Sequence, residues 1–183
     1  MSLKSVEKSV KRMKKLSHYK KSGNVKMVDV SAKPLTTRTA IARGLVKMSP
    51  AVIRAVKRLR NPKGNPLEIA RIAGITAAKR TSEWIPLCHP LLLTNIDVSA
   101  SLCQNGVELQ SIASTTAQTG VEMEALVAIA AAALTVYDMC KALDKAIEIT
   151  GIELVQKTGG KSGPFRRAVP STPKATRSKA RSR

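Results

Sequence analysis

A chain of 183 residues, 43% of them hydrophobic, is long enough for one domain with its own core, and an aromatic content of 2% makes that core aliphatic and alanine-rich. The net charge of +20 points first to a nucleic-acid binder, yet residues 1–26 and 166–183 hold +15 of it and leave the centre only mildly basic. Cys88, Cys103 and Cys140 form no CxxC pair and are odd in number, which argues against a disulfide framework or a zinc site and for reduced thiols in a cytoplasmic protein.

Residues 1–25 read as a basic, solvated N-terminal extension, with a short amphipathic helix through Leu3, Val6, Val10, Met13 and Leu16 as the alternative. The extension is lysine-rich and lacks a cleavage pattern, so it makes a poor targeting peptide. Residues 26–167 carry the patterned domain. Arg38 to Met48 reads as a strand, with a helix not distinguished by pattern alone. Ser49 and Pro50 resemble an N-cap and a first-turn proline ahead of a helix over Ala51 to Leu59. The breakers of Asn61-Pro62-Lys63-Gly64-Asn65-Pro66 display a lysine in a loop. A second helix is expected from Leu67 to Lys79, burying Ile69, Ile72, Ala73 and Ala77.

Alternation at Ile96, Val98, Ala100 and Leu102, then at Val107, Leu109 and Ala113, predicts a hairpin turning at Asn105-Gly106. A long helix is predicted from Val121 to Leu143. Its most apolar run, Ala125 to Tyr137, is shorter than the ~18 residues of a membrane span. A last strand, Ile147 to Val155, leads into the glycine-rich segment Lys157 to Gly163. The tail from Ala168 is Pro, Ser, Thr, Lys and Arg, a composition that favours disorder. Strand, helix pair, hairpin, long helix and strand together predict an α+β split sandwich of ferredoxin-like type, an antiparallel sheet with helices packed on one face.

Several residues could carry chemistry. Asp138 and Lys141 are three apart on one face of the long helix. They read either as a surface ion pair contributing ~0.3 kcal/mol or as a coupled acid and base shifted by burial. Glu122 and Glu124 in its first turn suit the helix dipole. Pro86 and Pro90 fix the backbone around Cys88 and His89, which gives an imidazole rigid flanks. A Cys88–His89 nucleophile pair is disfavoured because adjacent residues on an extended chain point opposite ways. Lys157 and Lys161, among glycines, could cradle phosphate, although the spacing is not that of a P-loop.

Taken together, the ordered strings resemble the cyclic pyranopterin monophosphate synthase family. They are Met27-Val28-Asp29-Val30-Ser31, Ala70-Arg71-Ile72-Ala73-Gly74-Ile75, Ala77-Ala78-Lys79-Arg80-Thr81 and Ile85-Pro86-Leu87-Cys88-His89-Pro90-Leu91. The match continues through Thr119-Gly120-Val121-Glu122-Met123-Glu124-Ala125-Leu126, Ala133-Leu134-Thr135-Val136-Tyr137-Asp138-Met139-Cys140-Lys141-Ala142 and Lys157-Thr158-Gly159-Gly160-Lys161-Ser162-Gly163. The resemblance implies a ferredoxin-like α+β fold, assembled as a homohexamer (a trimer of dimers) with active sites at subunit interfaces. It also implies a lyase of molybdenum cofactor biosynthesis. Its substrate would be 3′,8-cyclo-7,8-dihydro-GTP, supplied by a radical-SAM enzyme upstream, and its products cyclic pyranopterin monophosphate and pyrophosphate.

By the same resemblance Asp138, Lys141 and Lys63 are catalytic, while Leu87, Cys88, His89, Glu122, Met123 and Glu124 bind substrate and Lys157 and Lys161 hold its phosphates. Glu124 suits the N–H donors of a guanine-like ring. No redox cofactor is implied, because no net electron transfer occurs, and no protein metal site; a magnesium ion could accompany the phosphates. The family usually shows two histidines before the loop lysine and an aspartate after the glycine. Here the loop is Arg60-Asn61-Pro62-Lys63-Gly64-Asn65, so the lysine stands alone.

The competing class is a nucleic-acid-binding ferredoxin-like module. Such modules stack bases on sheet aromatics, and Tyr19, Trp84, Tyr137 and Phe165 supply no such platform. Non-specific polyanion binding by the tails stays compatible with an enzyme. A fragment of residues 26–167 is therefore expected to keep kcat and KM within about a factor of three of the full chain. It should lose most of any salt-sensitive affinity for nucleic acid. Parallel kinetics and a salt titration of binding check both; loss of turnover in a folded fragment would assign the tails to the active site.

Overall fold

The computed structural model describes residues 23–58 and 64–168. The proposed amphipathic segment at the N-terminus, the loop lysine Lys63 and the C-terminal tail from 169 lie outside the described residues. β1 (Thr36–Lys47) is the central strand, pairing antiparallel with β3 (Gly106–Ala117) on one side and β4 (Glu148–Thr158) on the other. β2 (Asn95–Cys103) pairs with the outer side of β3, and the short β5 (Phe165–Arg166) with the outer side of β4. The sheet order β2-β3-β1-β4-β5 places β3 antiparallel between β1 and β2, which is the split βαβ arrangement of a ferredoxin-like sheet with one added edge strand.

Alternation decides the faces. Ala40, Ala42 and Val46 of β1 and Val107, Leu109, Ser111 and Ala113 of β3 are buried, while Arg43 and Lys47 are exposed on the opposite face. The covered face receives α2 (Pro66–Ala78) and α4 (Glu122–Cys140). The residues at this contact are small. Ala125, Ala128, Ala132 and Ala133 of α4 are fully buried, and at Gly44 of β1 a Cβ would come within 2.6 Å of Ile129 Cγ2. Small side chains let helix and sheet backbones approach closely, which is how the domain fills a core almost without aromatics.

Two expectations need correction, the inner face of α2 and the hairpin loop. Ile69 and Ile72 are 37% and 53% exposed; the buried face of α2 is Pro66, Ala70, Gly74, Ala77 and Ala78. An alanine-rich partner admits only small side chains, so the branched isoleucines turn outward, and Ala73 is half-buried while Ala77 packs as expected. As expected, Ser49 is the N-cap of α1 (Pro50–Lys57) and Pro50 its first-turn proline, although the Ser49 side chain makes no capping hydrogen bond. The side-chain cap belongs to α2, where Asn65 Oδ1 accepts from the Leu67 N–H at 3.0 Å. The hairpin loop is Gln104-Asn105, since Gly106 already pairs with Cys103. Two short elements had no readable signal, β5 and the single turn α3 (Thr81–Trp84).

Among the described residues α4 has the length and mean hydropathy (1.6) of a membrane span, but 61% of that stretch is buried within the fold. Its apolarity is the core's.

Gly74 tests the close packing directly. A Cβ there would sit 2.8 Å from the Ala128 carbonyl oxygen and 3.2 Å from Val98 Cγ2. Helix propensity alone would make Gly74→Ala stabilising by about 1 kcal/mol. Overpacking against backbone should win, so the variant is expected to lose about 1–3 kcal/mol in urea unfolding; a gain in stability would show that α2 can withdraw freely.

Candidate active site

Three segments converge at the N-terminal end of α4. The first is the end of β3 and the turn that follows, which delivers Thr119 and Gly120. The second is Leu87-Cys88-His89, bracketed by Pro86 and Pro90. It is tied down by the Cys88 N–H, which donates to the Ile85 carbonyl at 3.0 Å, and by Thr115 Oγ1, which donates to the Leu92 carbonyl at 2.7 Å. The third runs through Val28, Val30 and Lys33 ahead of β1. Asp29 Oδ1 accepts from the Ser31 N–H at 2.9 Å and the Ser31 hydroxyl at 2.7 Å, folding this strap back on itself. Gln118 Nε2 donates to the Ser31 carbonyl at 3.3 Å and joins the strap to the turn after β3. The Ser31 side-chain and backbone hydrogen bonds hold the Asp29 carboxyl below its ordinary range, with lesser help from the charges of Lys26 and His89.

Together these segments line a cleft of about 350 Å³ containing Leu87, Cys88, His89, Glu122, Met123 and Glu124. All six residues expected to contact substrate are thus brought together. Val28, Val30, Lys33, Leu91, Thr119 and Gly120 complete the walls without having been singled out beforehand. Their only signal was the resemblance of the strings Met27 to Ser31, Ile85 to Leu91 and Thr119-Gly120, which fixes no role for them. Lys33 lay outside those strings and had no signal. A larger depression of about 560 Å³ lies on the uncovered sheet face between Arg43, Ser99, Glu108 and Glu153. None of the expected site residues lines it, and Arg43 and Glu153 are already paired at 2.6 Å.

Glu124 dominates the electrostatics of the cleft. It is 3% exposed, and its Oε2 has no hydrogen-bond partner among the described residues. Burial pushes its carboxyl up to about 7, partly offset by a hydrogen bond from its own backbone N–H and reinforced by the neighbouring Glu122 charge. Burial, and secondarily the Glu124 charge, also raise the Cys88 thiol. Cys88 is therefore a neutral lining group and no thiolate nucleophile. The Glu122 carboxylate folds back over Gly120, where any side chain would collide with it.

Lys157 belongs to β4 rather than to the glycine-rich loop. Its side chain is only 15% exposed, hydrogen-bonds Ser162 Oγ and stands 4.0 Å from Glu122 Oε1. Lys161 is exposed in the loop and does not line the cleft. Asp138 and Lys141 pair at 2.6 Å, with half-exposed side chains, at the other end of α4. Fourteen residues of helix separate Glu124 from Asp138, roughly 21 Å. One chain does not unite the two halves. The Asp138 hydrogen bond and charge raise the Lys141 ammonium above its usual value, so in a single chain it remains a cation. Among the described residues no group of three His, Cys, Asp or Glu is placed to hold a metal ion.

The profile of the MoaC family matches residues 27–160, which include every described element except β5 and contain the whole cleft. The chain belongs to the MoaC family. Similar proteins named cyclic pyranopterin monophosphate synthase occur in Cereibacter sphaeroides, 52% identical over 155 residues, and in Heliobacterium modesticaldum, also 52% identical over 155 residues; each alignment covers 84% of this chain and 98% of the relative. A third, from Streptomyces griseus, is 49% identical over 161 residues, 88% of this chain and 91% of that protein. The family match thus spans both the Glu124 cleft and the Asp138–Lys141 pair.

The Glu124 burial has a measurable consequence. Its folded value near 7 lies above the ordinary glutamate value of 4.5, so between those pH values the folded state binds more protons than the unfolded. Its contribution to stability is then flat below about 4.5, falls as pH rises to about 7, and levels off at a cost of roughly 3 kcal/mol. Glu124→Gln should remove this slope, so urea unfolding from pH 4 to 8 should show the variant gaining on the wild type as pH rises. Parallel curves would assign the titration to another group.

Proposed function

We propose that this chain converts 3′,8-cyclo-7,8-dihydro-GTP into cyclic pyranopterin monophosphate with release of pyrophosphate, as a lyase of molybdenum cofactor biosynthesis. The observation that carries the reading is the buried Glu124 carboxyl, whose Oε2 has no hydrogen-bond partner among the described residues, in a cleft also lined by His89, Cys88 and Met123. A carboxyl near neutrality in its proton affinity can accept N–H donors from a purine-derived ring when ionised and donate one when protonated. Its apolar surroundings strengthen whichever hydrogen bond forms. Lys157 and Lys33 bring cations to the same region for the substrate's triphosphate. Lys161 is assigned to phosphate binding and Lys63 to the chemistry. A magnesium ion would accompany the phosphates, with no redox cofactor, since the rearrangement transfers no net electrons.

Asp138 and Lys141 are assigned the proton transfers of ring opening and reclosure. Because they lie roughly 21 Å along α4 from Glu124, the reading requires the catalytic pair of one subunit to meet the cleft of another. The proposed assembly is a homo-oligomer, a hexamer built from dimers. Exposed apolar side chains such as Ile72 of α2 and Leu134 of α4 suit such contacts. The proposed location is the cytoplasm, downstream of a radical-SAM enzyme that supplies the cyclised nucleotide.

Incubation of the protein with 3′,8-cyclo-7,8-dihydro-GTP should yield pyrophosphate and a pterin together; absence of both would defeat the assignment. Asp138→Asn and Lys141→Ala should each lower turnover by about 100-fold or more in folded protein. Mixing inactive His89→Ala and Asp138→Asn subunits should restore part of the activity, because a mixed interface can hold one intact site. No recovery on mixing, or an active monomer by light scattering, would place both halves of the site in one chain.

A further inference from the structure

Arg38 takes no part in the cleft's lining, yet it lies where three of its supports meet. It stands near the start of β1 with a half-buried side chain. Its Nε donates to the Ala117 carbonyl at 3.0 Å and its Nη2 to the Gln118 carbonyl at 3.2 Å, so one guanidinium fixes two successive peptide units of the turn after β3. The next two residues are Thr119 and Gly120, which line the cleft, and beyond them is Glu122, whose carboxylate folds over Gly120.

The opposite edge of the same guanidinium faces the glycine-rich loop. A side chain at Gly160, where φ is +76°, would collide with Arg38 Nη1, and one at Gly159 would press on the Thr37 carbonyl and, at 3.1 Å, on Arg38 Cγ. The loop therefore rests directly on the arginine. That loop carries Ser162, the hydrogen-bond partner of Lys157, and Lys157 in turn stands beside Glu122. A planar fork is the one cationic group that can bridge two consecutive carbonyls while presenting a flat face to a backbone loop; a lysine ammonium is a single point. Among the described residues both hydrogen-bond acceptors of Arg38 are neutral carbonyls rather than carboxylates.

We propose that Arg38 is a positioning residue for anion binding: it ties the Ala117–Gly120 turn to the Gly159–Gly163 loop and so sets Lys157 and the cleft wall in register for the substrate's phosphates. This rests on the proposed function for the identity of the substrate, but the clamp itself can be tested on an inorganic anion.

The test uses the full-length protein, its Arg38→Lys, Gly160→Ala and doubly substituted forms. Calorimetric titration with inorganic tripolyphosphate and steady-state kinetics on 3′,8-cyclo-7,8-dihydro-GTP are run side by side. Arg38→Lys should weaken tripolyphosphate binding and raise KM by about tenfold, with kcat within about threefold, the signature of lost uniform binding. Gly160→Ala, which displaces the guanidinium from the loop side, should do the same, and its effect should shrink in the Arg38→Lys background because the two act on one contact. Unchanged anion affinity in folded Arg38→Lys overturns the proposal, as does a fall in kcat at constant KM, which would put Arg38 in the chemistry. If Arg38→Lys does not fold, an unaltered tripolyphosphate affinity in Gly160→Ala overturns it equally. A wild type that binds tripolyphosphate but never converts the nucleotide refutes the proposed function and leaves this inference to the binding arm.

Discussion

The close seating of α4 on β1 and α2 is the contact on which the rest of the molecule depends. Ala125, Ala128, Ala132 and Ala133 share one buried cluster with Ala40, Ala42 and Ala70, Ile129 closes on Gly44, Ala128 and Ala132 close on Gly74, and Ala77 packs with Val127 and Ala131. Large residues would give each contact more buried area, but they would push the layers apart. Small ones trade area per residue for backbone proximity, and interior packing density is preserved without aromatic bulk. The same seating fixes where the two ends of a 19-residue helix lie, and each end carries charged residues: Glu122 and Glu124 at one, Asp138 and Lys141 at the other.

At the N-terminal end, close seating becomes electrostatics. Glu124 is carried into the cleft floor by a helix that cannot rotate without lifting its alanines off the sheet. Its carboxyl consequently meets low dielectric and a like charge on Glu122, and its proton affinity rises. An unpartnered oxygen on a buried carboxyl is costly in a resting fold. A protein retains such a group readily when something else supplies the missing hydrogen bond. Among the described residues Thr36 Oγ1 is the one other buried side-chain atom in this condition, and it does not line the cleft.

Much of the architecture was legible from pattern. Period-two alternation located β2 and β3, because one covered face imposes it, whereas β1 was read as a strand without pattern alone separating it from a helix. The long helix was legible from its length and alanine content. The inner face of α2 was not, because apolar size was taken to mean burial. Ile69 and Ile72 are the larger hydrophobes, but the contact selects for smallness, and no single helix reveals how near its neighbour lies. Residues Leu87 to His89 and Glu122 to Glu124 could be grouped only by resemblance. Lys33 and Arg38 were invisible as functional candidates because their surroundings are made by segments roughly 80 to 120 residues away in sequence, such as Gln118 and Gly160. Spacing carries no information about such neighbours.

The charged pair at the other end of α4 poses the complementary problem. An exposed ion pair in water contributes little, and its ammonium is held more firmly protonated than a free lysine. Neither property suits proton transfer near neutral pH, where an acid or base acts best with a proton affinity close to the surroundings. Withdrawing Lys141 from water would lower its affinity, and bringing further cations beside it, as a triphosphate site requires, would lower it again. Both changes need a surface that the described residues of a single chain do not present at that end of the helix. Under the proposed function, then, association of subunits is part of the chemistry. The surface that covers Asp138 and Lys141 would also carry them to a Glu124 cleft that their own helix keeps roughly 21 Å away.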